Sequence, residues 1–373
     1  MVPNKAYLSL IKLGIGHESD IPEEIDWKAV RQLASKQGLA AIVLDGVKTL
    51  IERGMLAGGR AMDIELKFDW MGESVVAYEQ RYEAYRSTIA SLAKFYAEHG
   101  FKMMVLKGYG LSLNYPVPNH RPCGDIDIWL FGKYKEADAV LSKELGIVID
   151  NGHHHHTVFT FDGFMVENHY DIINVHYDNR SGDLEVILKK LAEDDSNFVD
   201  IAFEKETPRV YLPSANLHAL FQIKHCILHF ASTFISLRQL LDWAFFVEKH
   251  SAEIDWKWLV GILRDFHMLD FFNYLNAICV EDLGFDVGLF PSVSDKEGAS
   301  GIESAMKKRI LSDILSPEFT EEEPAKKGLI PRVVFKFRRW QANAWKQKLC
   351  YKGSRFVAFW RSVYTHILKP DSI

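Results

Sequence analysis

The sequence predicts an α+β protein: a small mixed β-sheet with flanking helices, set between an N-terminal and a C-terminal helical region. Three observations carry this reading. Apolar residues recur at helical spacing through residues 1–99. The period shortens to strand alternation beyond Phe101. Helical spacing returns from about Pro213. With 373 residues the chain is long enough for more than one core. The expected division is an N-terminal helical region over 1–99, a sheet-bearing core over 100–210, and a C-terminal helical domain with a basic tail over 211–373.

The helical spacing of the first region is carried by Val30, Leu33 and Ala34, then by Leu39, Ile42 and Val43. A longer pattern runs from about Glu73 to His99, with Val76, Tyr82, Tyr85, Ile89, Leu92 and Tyr96 on one side, and Gly100 stands where a helix stops. Met103–Leu106 is a short apolar run ending in Lys107-Gly108, as in a buried strand that turns into a short helix. Gly124–Leu130 alternates polar and apolar residues, as in a strand with two different faces. The Pro- and Asn-rich stretch between them is a loop, and 133–145 has an amphipathic helical pattern. Asp162-Gly163 between two strand-like runs predicts a hairpin. Beyond Pro213 the spacing predicts helices over 215–231, 236–250, 256–266 and 268–281, followed by a Gly- and Ser-rich loop over 284–303. The acidic cluster Glu321–Glu323 precedes a stretch, Pro324 to Pro370, with twelve Lys or Arg and no Asp or Glu.

Composition excludes several classes. Hydrophobic residues at 48% and charged residues at 25% are those of a globular chain, not of a disordered, collagenous or low-complexity one. No apolar run approaches the roughly 18 residues of a membrane span, and the N-terminus lacks a leader pattern. The net charge of -6 argues against general avidity for DNA or anionic membranes. The four cysteines, Cys123, Cys226, Cys279 and Cys350, are far apart in sequence and form neither a zinc nor a disulfide pattern. A cytoplasmic protein with reduced thiols and nothing processed away is the expectation.

The chemistry centres on Asp125-Ile126-Asp127. On a strand, positions i and i+2 share a face, so two carboxylates stand side by side while Ile126, Ile128 and Leu130 bury the other face. Carboxylates that close repel unless a cation lies between them, and Mg²⁺, which favours carboxylate oxygen, is the natural occupant. Two solvated acids on an exposed strand would give the same pattern. The upstream Lys107-Gly108 turn argues for a site, because glycine lets backbone amides approach a phosphate and a helix N-terminus favours an anion. Glu167 sits on the second hairpin strand with the parity of His169 and Asp171, so one face of that strand is polar. Glu167 and Asp171 both stand as the third acid, while Asp162 belongs to the turn.

This arrangement resembles the nucleotidyltransferase superfamily related to DNA polymerase β. More narrowly, LKGYGLSLNYPVPNHRPCGDIDIWL is similar to a bacterial family of uncharacterised nucleotidyltransferases. The matching residues are Lys107-Gly108, Tyr115-Pro116, Arg121, Asp125 and Asp127, Glu167-Asn168-His169, and Arg238 with Asp242. The resemblance implies that Asp125, Asp127 and Glu167 are catalytic and hold Mg²⁺ (or Mn²⁺) against an NTP, ATP by default. It places Lys107, Gly108, Tyr109, Arg121, His169, His225, Arg238 and Asp242 around the substrate, with Arg121 steadying phosphates. Gly108 is followed by Tyr109 rather than the Ser or second Gly usual in the superfamily, so Lys107 and backbone amides carry more of the phosphate contact. The implied reaction moves a nucleoside monophosphate to a hydroxyl on a small molecule, protein or RNA and releases pyrophosphate.

Other features have structural explanations beside functional ones. His153–His156 is either a metal-binding run or a wall of the site in which His154 and His156 share a face. His225 and His229 lie one helical turn apart without the Glu of a zincin, and either pack or line the cleft. Arg238 and Asp242 have the spacing of a helical ion pair. The tail's Phe335, Phe337, Trp340, Trp345, Phe356 and Trp360 among its cations fit a packed amphipathic helix or an RNA- or membrane-binding one. The competing readings of the whole are therefore a nucleotidyltransferase, a nucleotide- or partner-binding module on the same fold without turnover, and a basic-tail RNA-binding protein.

Overall fold

A computed structural model describes residues 2–175, 180–290, 303–319 and 329–351. Its first helices are α1 (Val2–Gly14), α2 (Trp27–Gln37) and α3 (Ala40–Glu52). Asp26 caps α2 by accepting from the Ala29 amide at 3.0 Å. α4 (Ile64–Trp70) leads through a π-helical turn, Met71–Val76, into α5 (Ala77–Glu98). That wider turn shifts the helical phase. Val76, predicted on the buried side, is 45% exposed, whereas Tyr82, Tyr85, Ile89, Leu92 and Tyr96 are buried as the spacing requires.

The middle of the chain follows the predicted order: β1 (Met104–Val105), α6 (Tyr109–Ser112), β2 (Ile126–Trp129), α7 (Tyr134–Leu145), β3 (His156–Phe161) and β4 (Phe164–His169). Asp162 and Gly163 both have positive φ, 46° and 80°, the requirement of a two-residue hairpin turn. Sequence reading misses α8 (Ser181–Leu191) and the hairpin β5 (Phe198–Asp200) and β6 (Arg209–Tyr211). Strands of three residues are too short to show alternation.

The sheet runs β3-β4-β2-β1-β6-β5. The pairs β4/β2 and β1/β6 are parallel and the others antiparallel. Strand alternation sorts side chains onto two cores. Val105, Ile126, Ile128, Val166 and Phe159 pack under α5 and α7, while Met104, Leu106 and Trp129 join the helical core on the other face. Asp127 and Glu167 therefore look toward that second face.

α9 (Ala215–Ser232), α10 (Leu237–His250), α11 (Trp256–Asp265) and α12 (Leu269–Ala277) match the predicted helices within a few residues, except that α12 continues as a π-helical turn, Ile278–Asp282. Ser236 and Gln239 form a reciprocal cap at the start of α10. These helices share one core with α1–α3. Gln37 fastens the junction, donating to the Ile314 carbonyl at 2.8 Å and accepting from the Leu237 amide at 2.6 Å.

Of the predicted loop 284–303, the described part holds a short 3-10 turn, Val287–Leu289. Helices Ser304–Leu315, Leu329–Ala342 and Ala344–Cys350 follow. Among the tail cations, Lys346 is not part of a solvated basic face. It is fully buried, 2.6 Å from Asp313, and donates to the Thr233 carbonyl at 3.0 Å. Glu321–Glu323, Phe356 and Trp360 lie outside the described residues. Among the described residues no helix is long and apolar enough to cross a membrane.

Candidate active site

The site is assembled on the face of β2 and β4 turned toward α9 and α10. Parallel pairing sets Asp127 directly opposite Glu167, and Trp129 opposite His169. Antiparallel pairing then sets His156 opposite His169. Asp127 is 1% exposed. One of its oxygens, Oδ1, lies 2.8 Å from Lys107 Nζ and 3.3 Å from His169 Nε2. The other, Oδ2, is buried with no hydrogen-bond partner among the described residues. Glu167 Oε2 stands 3.7 Å from His169 Nε2 and 3.8 Å from His156 Nδ1. Asp125, one residue before β2, is half-exposed and lines the same small cavity as Asp127.

Charge balance explains the ionisation states. Burial opposes the charge on Lys107, but Asp127, Asp125 and Glu167 outweigh it and hold the ammonium above its ordinary range. Burial likewise opposes charging of His169, and Asp127 and Glu167 overcome it, raising its pKa to about 9. Burial works against ionised Glu167, yet His169, Lys107 and His156 bring it down to about 2. Lys107 and His169 thus act as internal counter-ions for the acids. His155 and His156 are kept neutral, chiefly by burial, with pKa values down to about 2 and about 4.

Gly108 makes the turn from β1 into α6. Its φ of 63° and ψ of -102° belong to glycine, and a Cβ there would lie 2.2 Å from Tyr85 Oη. Tyr85, from α5, donates to the Asp125 carbonyl at 2.9 Å, so this close approach fixes the turn against the start of β2. Sequence reading could not find Tyr85 here, because it shows only as one more apolar-face residue of α5. On the other side, the Ile172 and Ile173 amides donate to Glu185 at 2.8 and 3.0 Å, which holds the chain leaving β4. Burial pushes Glu185 up to about 7.

Several expected site residues have other duties. Arg121 was expected to steady phosphates and Arg238 to pair with Asp242. Instead Arg121 makes the bidentate pair with Asp242, at 2.7 and 2.9 Å, and Tyr115 Oη donates to the same carboxylate at 2.6 Å. Arg238 donates to the Pro122 carbonyl at 3.3 Å. Through Arg121 and Tyr115, Asp242 anchors the loop before β2 onto α10. Tyr109, expected around the substrate, is buried in the core with Tyr82, its ring centroid 6.2 Å away. Asp171, left open as a third acid, is paired with Lys189. Glu167 is the acid that meets Asp127.

His225 lines a cavity of about 140 Å³ together with Lys107, Gly108, Arg121, Asp125, Asp127, Arg238 and Asp242. His229 lies one turn on, its ring tilted 60° to that of His225 with centroids 4.3 Å apart. Burial, then the charge of Lys107, keeps both histidines neutral. The His153–His156 run also needs correcting. β3 begins at His156, so strand parity does not extend to His154, and it is His155 and His156 that join His169, with one ring nitrogen of each within 4.8 Å of the others.

Asp127, Glu167 and His169 also present ligand atoms within 4.8 Å of one another. The unpartnered Asp127 Oδ2 and the carboxylates gathered around Lys107 fit a hard divalent cation. A mixed sheet with a glycine turn after one strand and acids level on the next two defines a nucleotidyltransferase-type fold. The family described as "Uncharacterised nucleotidyltransferase" matches residues 23–284, which include the whole sheet and α9–α12, and the chain belongs to that family. No curated protein and no solved structure matches the chain.

Proposed function

We propose that this chain is a Mg²⁺-dependent nucleotidyltransferase that moves a nucleoside monophosphate from an NTP, ATP by default, to a hydroxyl acceptor and releases pyrophosphate. The observation that carries the reading is the level pairing of Asp127 with Glu167 on parallel strands, with one Asp127 oxygen buried and unsatisfied among the described residues. Asp125, Asp127 and Glu167 would hold the cation, Mg²⁺ or Mn²⁺. When bound, it supplies charge neutralisation and orientation for the triphosphate.

The chain's own groups do the rest by positioning and charge. Lys107, 2.8 Å from Asp127, is within a side-chain swing of any phosphate brought to the acids and is the cation that meets it. The Gly108 turn leaves backbone amides open to close approach. His169 orients Asp127 and Glu167 through Nε2 while Nδ1 donates to the Asp171 carbonyl at 3.1 Å. His225, neutral and lining the cavity beside the acids, offers a hydrogen bond to a polar acceptor. Arg121, Tyr115 and Asp242 hold the loop that delivers Asp125.

The test is transfer of label from each α-³²P-labelled NTP, with Mg²⁺ or Mn²⁺, to a pooled extract of small molecules, RNA and protein, with pyrophosphate release measured in parallel. Transfer that disappears in Asp125→Asn supports the reading. Transfer unchanged in that variant ends it. One observation favours the non-catalytic module: Lys107 pairs with Asp127 at 2.8 Å. Mg²⁺-NTP binding with no pyrophosphate release under any acceptor condition would establish that alternative.

A further inference from the structure

Next to the acids stand three histidines, of which only His169 has a part in the proposed transfer. His155, His156 and His169 each offer a ring nitrogen, and the three nitrogens lie within 4.8 Å of one another. The ring centroids are 4.3, 5.4 and 5.2 Å apart for the pairs 155–156, 155–169 and 156–169. Imidazole nitrogens on a tetrahedral ion at about 2.0–2.1 Å stand roughly 3.4 Å from one another, so the set closes with sub-rotamer adjustments of about 1 Å.

The set is built rather than incidental. The Tyr170 and Asp171 amides both donate to the His155 carbonyl, at 3.0 and 3.1 Å, which clamps the run beside the end of β4. Tyr170 Oη donates to the His153 carbonyl at 2.9 Å and fixes the run a second time. His156 is 4% exposed, and its Nδ1 has no hydrogen-bond partner among the described residues; the same is true of His155 Nδ1. His169 Nδ1 donates to the Asp171 carbonyl, which turns Nε2 toward the cluster. A ring whose far nitrogen is held by a backbone carbonyl is the usual outer arrangement of a metal-bound histidine. Glu167 Oε2, 3.8 Å from His156 Nδ1 and 3.7 Å from His169 Nε2, is the adjacent carboxylate.

We propose that His155, His156 and His169 form a binding site for a borderline transition-metal ion of the Zn²⁺ class, adjoining the proposed Mg²⁺ site with Glu167 between the two. Imidazole selects Zn²⁺, Ni²⁺ or Cu²⁺ over Mg²⁺, which keeps to oxygen. A His169 Nε2 that binds this ion no longer bonds Asp127, which leaves that carboxylate to Lys107. The proposal stands whether or not the chain transfers nucleotides.

The experiment uses the full-length chain stripped with EDTA and dialysed against Zn²⁺ in a large excess of Mg²⁺, with bound metal counted by mass spectrometry. Co²⁺ is used as a spectroscopic substitute. The expected result is one zinc ion per chain that Mg²⁺ does not displace, and strong visible Co²⁺ bands of a four-coordinate site. His155→Ala and His156→Gln are each expected to weaken retention about tenfold or more, with unchanged circular dichroism; His155, being half-buried, is the variant whose fold is least at risk. The His225→Ala/His229→Ala double variant keeps the ion. No zinc uptake, displacement by Mg²⁺, or full retention in His155→Ala would each overturn the proposal. Because the readout is metal content and spectrum, failure here is separable from failure of nucleotide transfer in Mg²⁺ alone.

Discussion

Gly108→Ala, taken alone and with Tyr85→Phe, tests how the strand-to-helix turn is held. The backbone at 108, with φ 63° and ψ -102°, is a glycine conformation, and placing an L-residue there costs about 1–3 kcal/mol. The new Cβ would also stand 2.2 Å from Tyr85 Oη, on a ring that is fully buried and cannot swing away. Relieving such an overlap in a packed site costs another 1–3 kcal/mol or so. The single variant should therefore lose roughly 4 kcal/mol. Tyr85→Phe alone should lose about 1–2 kcal/mol, because the Asp125 carbonyl loses its donor. In the double variant the Cβ meets Tyr85 Cζ at 3.3 Å rather than the hydroxyl at 2.2 Å, so the losses should fall short of additive by about 1–3 kcal/mol. Urea unfolding of the four proteins, compared at a common m, measures this cycle. A Gly108→Ala loss under half a kcal/mol, or strict additivity, would refute the close-approach account.

The remaining predictions concern the charges. Asp125→Asn, at a half-exposed position, should leave stability within about 0.5 kcal/mol while abolishing transfer. Asp127→Asn should in addition lose several kcal/mol, because Lys107 and His169 keep their charge against a neutral amide; equal midpoints for the two variants in urea would count against the buried counter-ion scheme. Asp242→Ala strands Arg121 without its carboxylate and should cost about 3–5 kcal/mol; an unchanged melting temperature would contradict the anchoring role. His169, raised to about 9, contributes stability that is complete below its ordinary pKa of 6.5 and lost as pH rises through 9, up to about 3 kcal/mol. Glu167, drawn down to about 2, has the opposite sign: its share is present above 4.5 and lost as pH falls toward 2. Stability curves of His169→Gln that keep the alkaline slope would assign it elsewhere.

Much of the sheet was legible because its signals are local. The Asp162-Gly163 turn, the alternation around Asp127 and the glycine after Lys107 each need only neighbouring residues to declare themselves. What the sequence hid depends on register and distance. Nothing in the one-dimensional pattern says that β2 and β4 run parallel, and it is this pairing that sets Glu167 rather than Asp171 against Asp127. The partner of Asp242 was hidden for the same reason: the i,i+4 spacing favours Arg238, but Arg121, 121 residues upstream, reaches it with ideal fork geometry. The π-helical turn before α5 removed Val76 from a face that period alone would give it. β5 and β6, three residues each, exist because a neighbouring strand edge recruits them, which is a property of the assembled sheet.

The two hydrogen bonds of Gln37 join backbone groups 277 and 200 residues later in the chain. During synthesis, α1–α3 leave the ribosome with their apolar faces open and wait for α10 and the helix Ser304–Leu315 before they can be covered. The order of manufacture thus leaves α1–α3 to be sealed only after the helices that follow the sheet have been made.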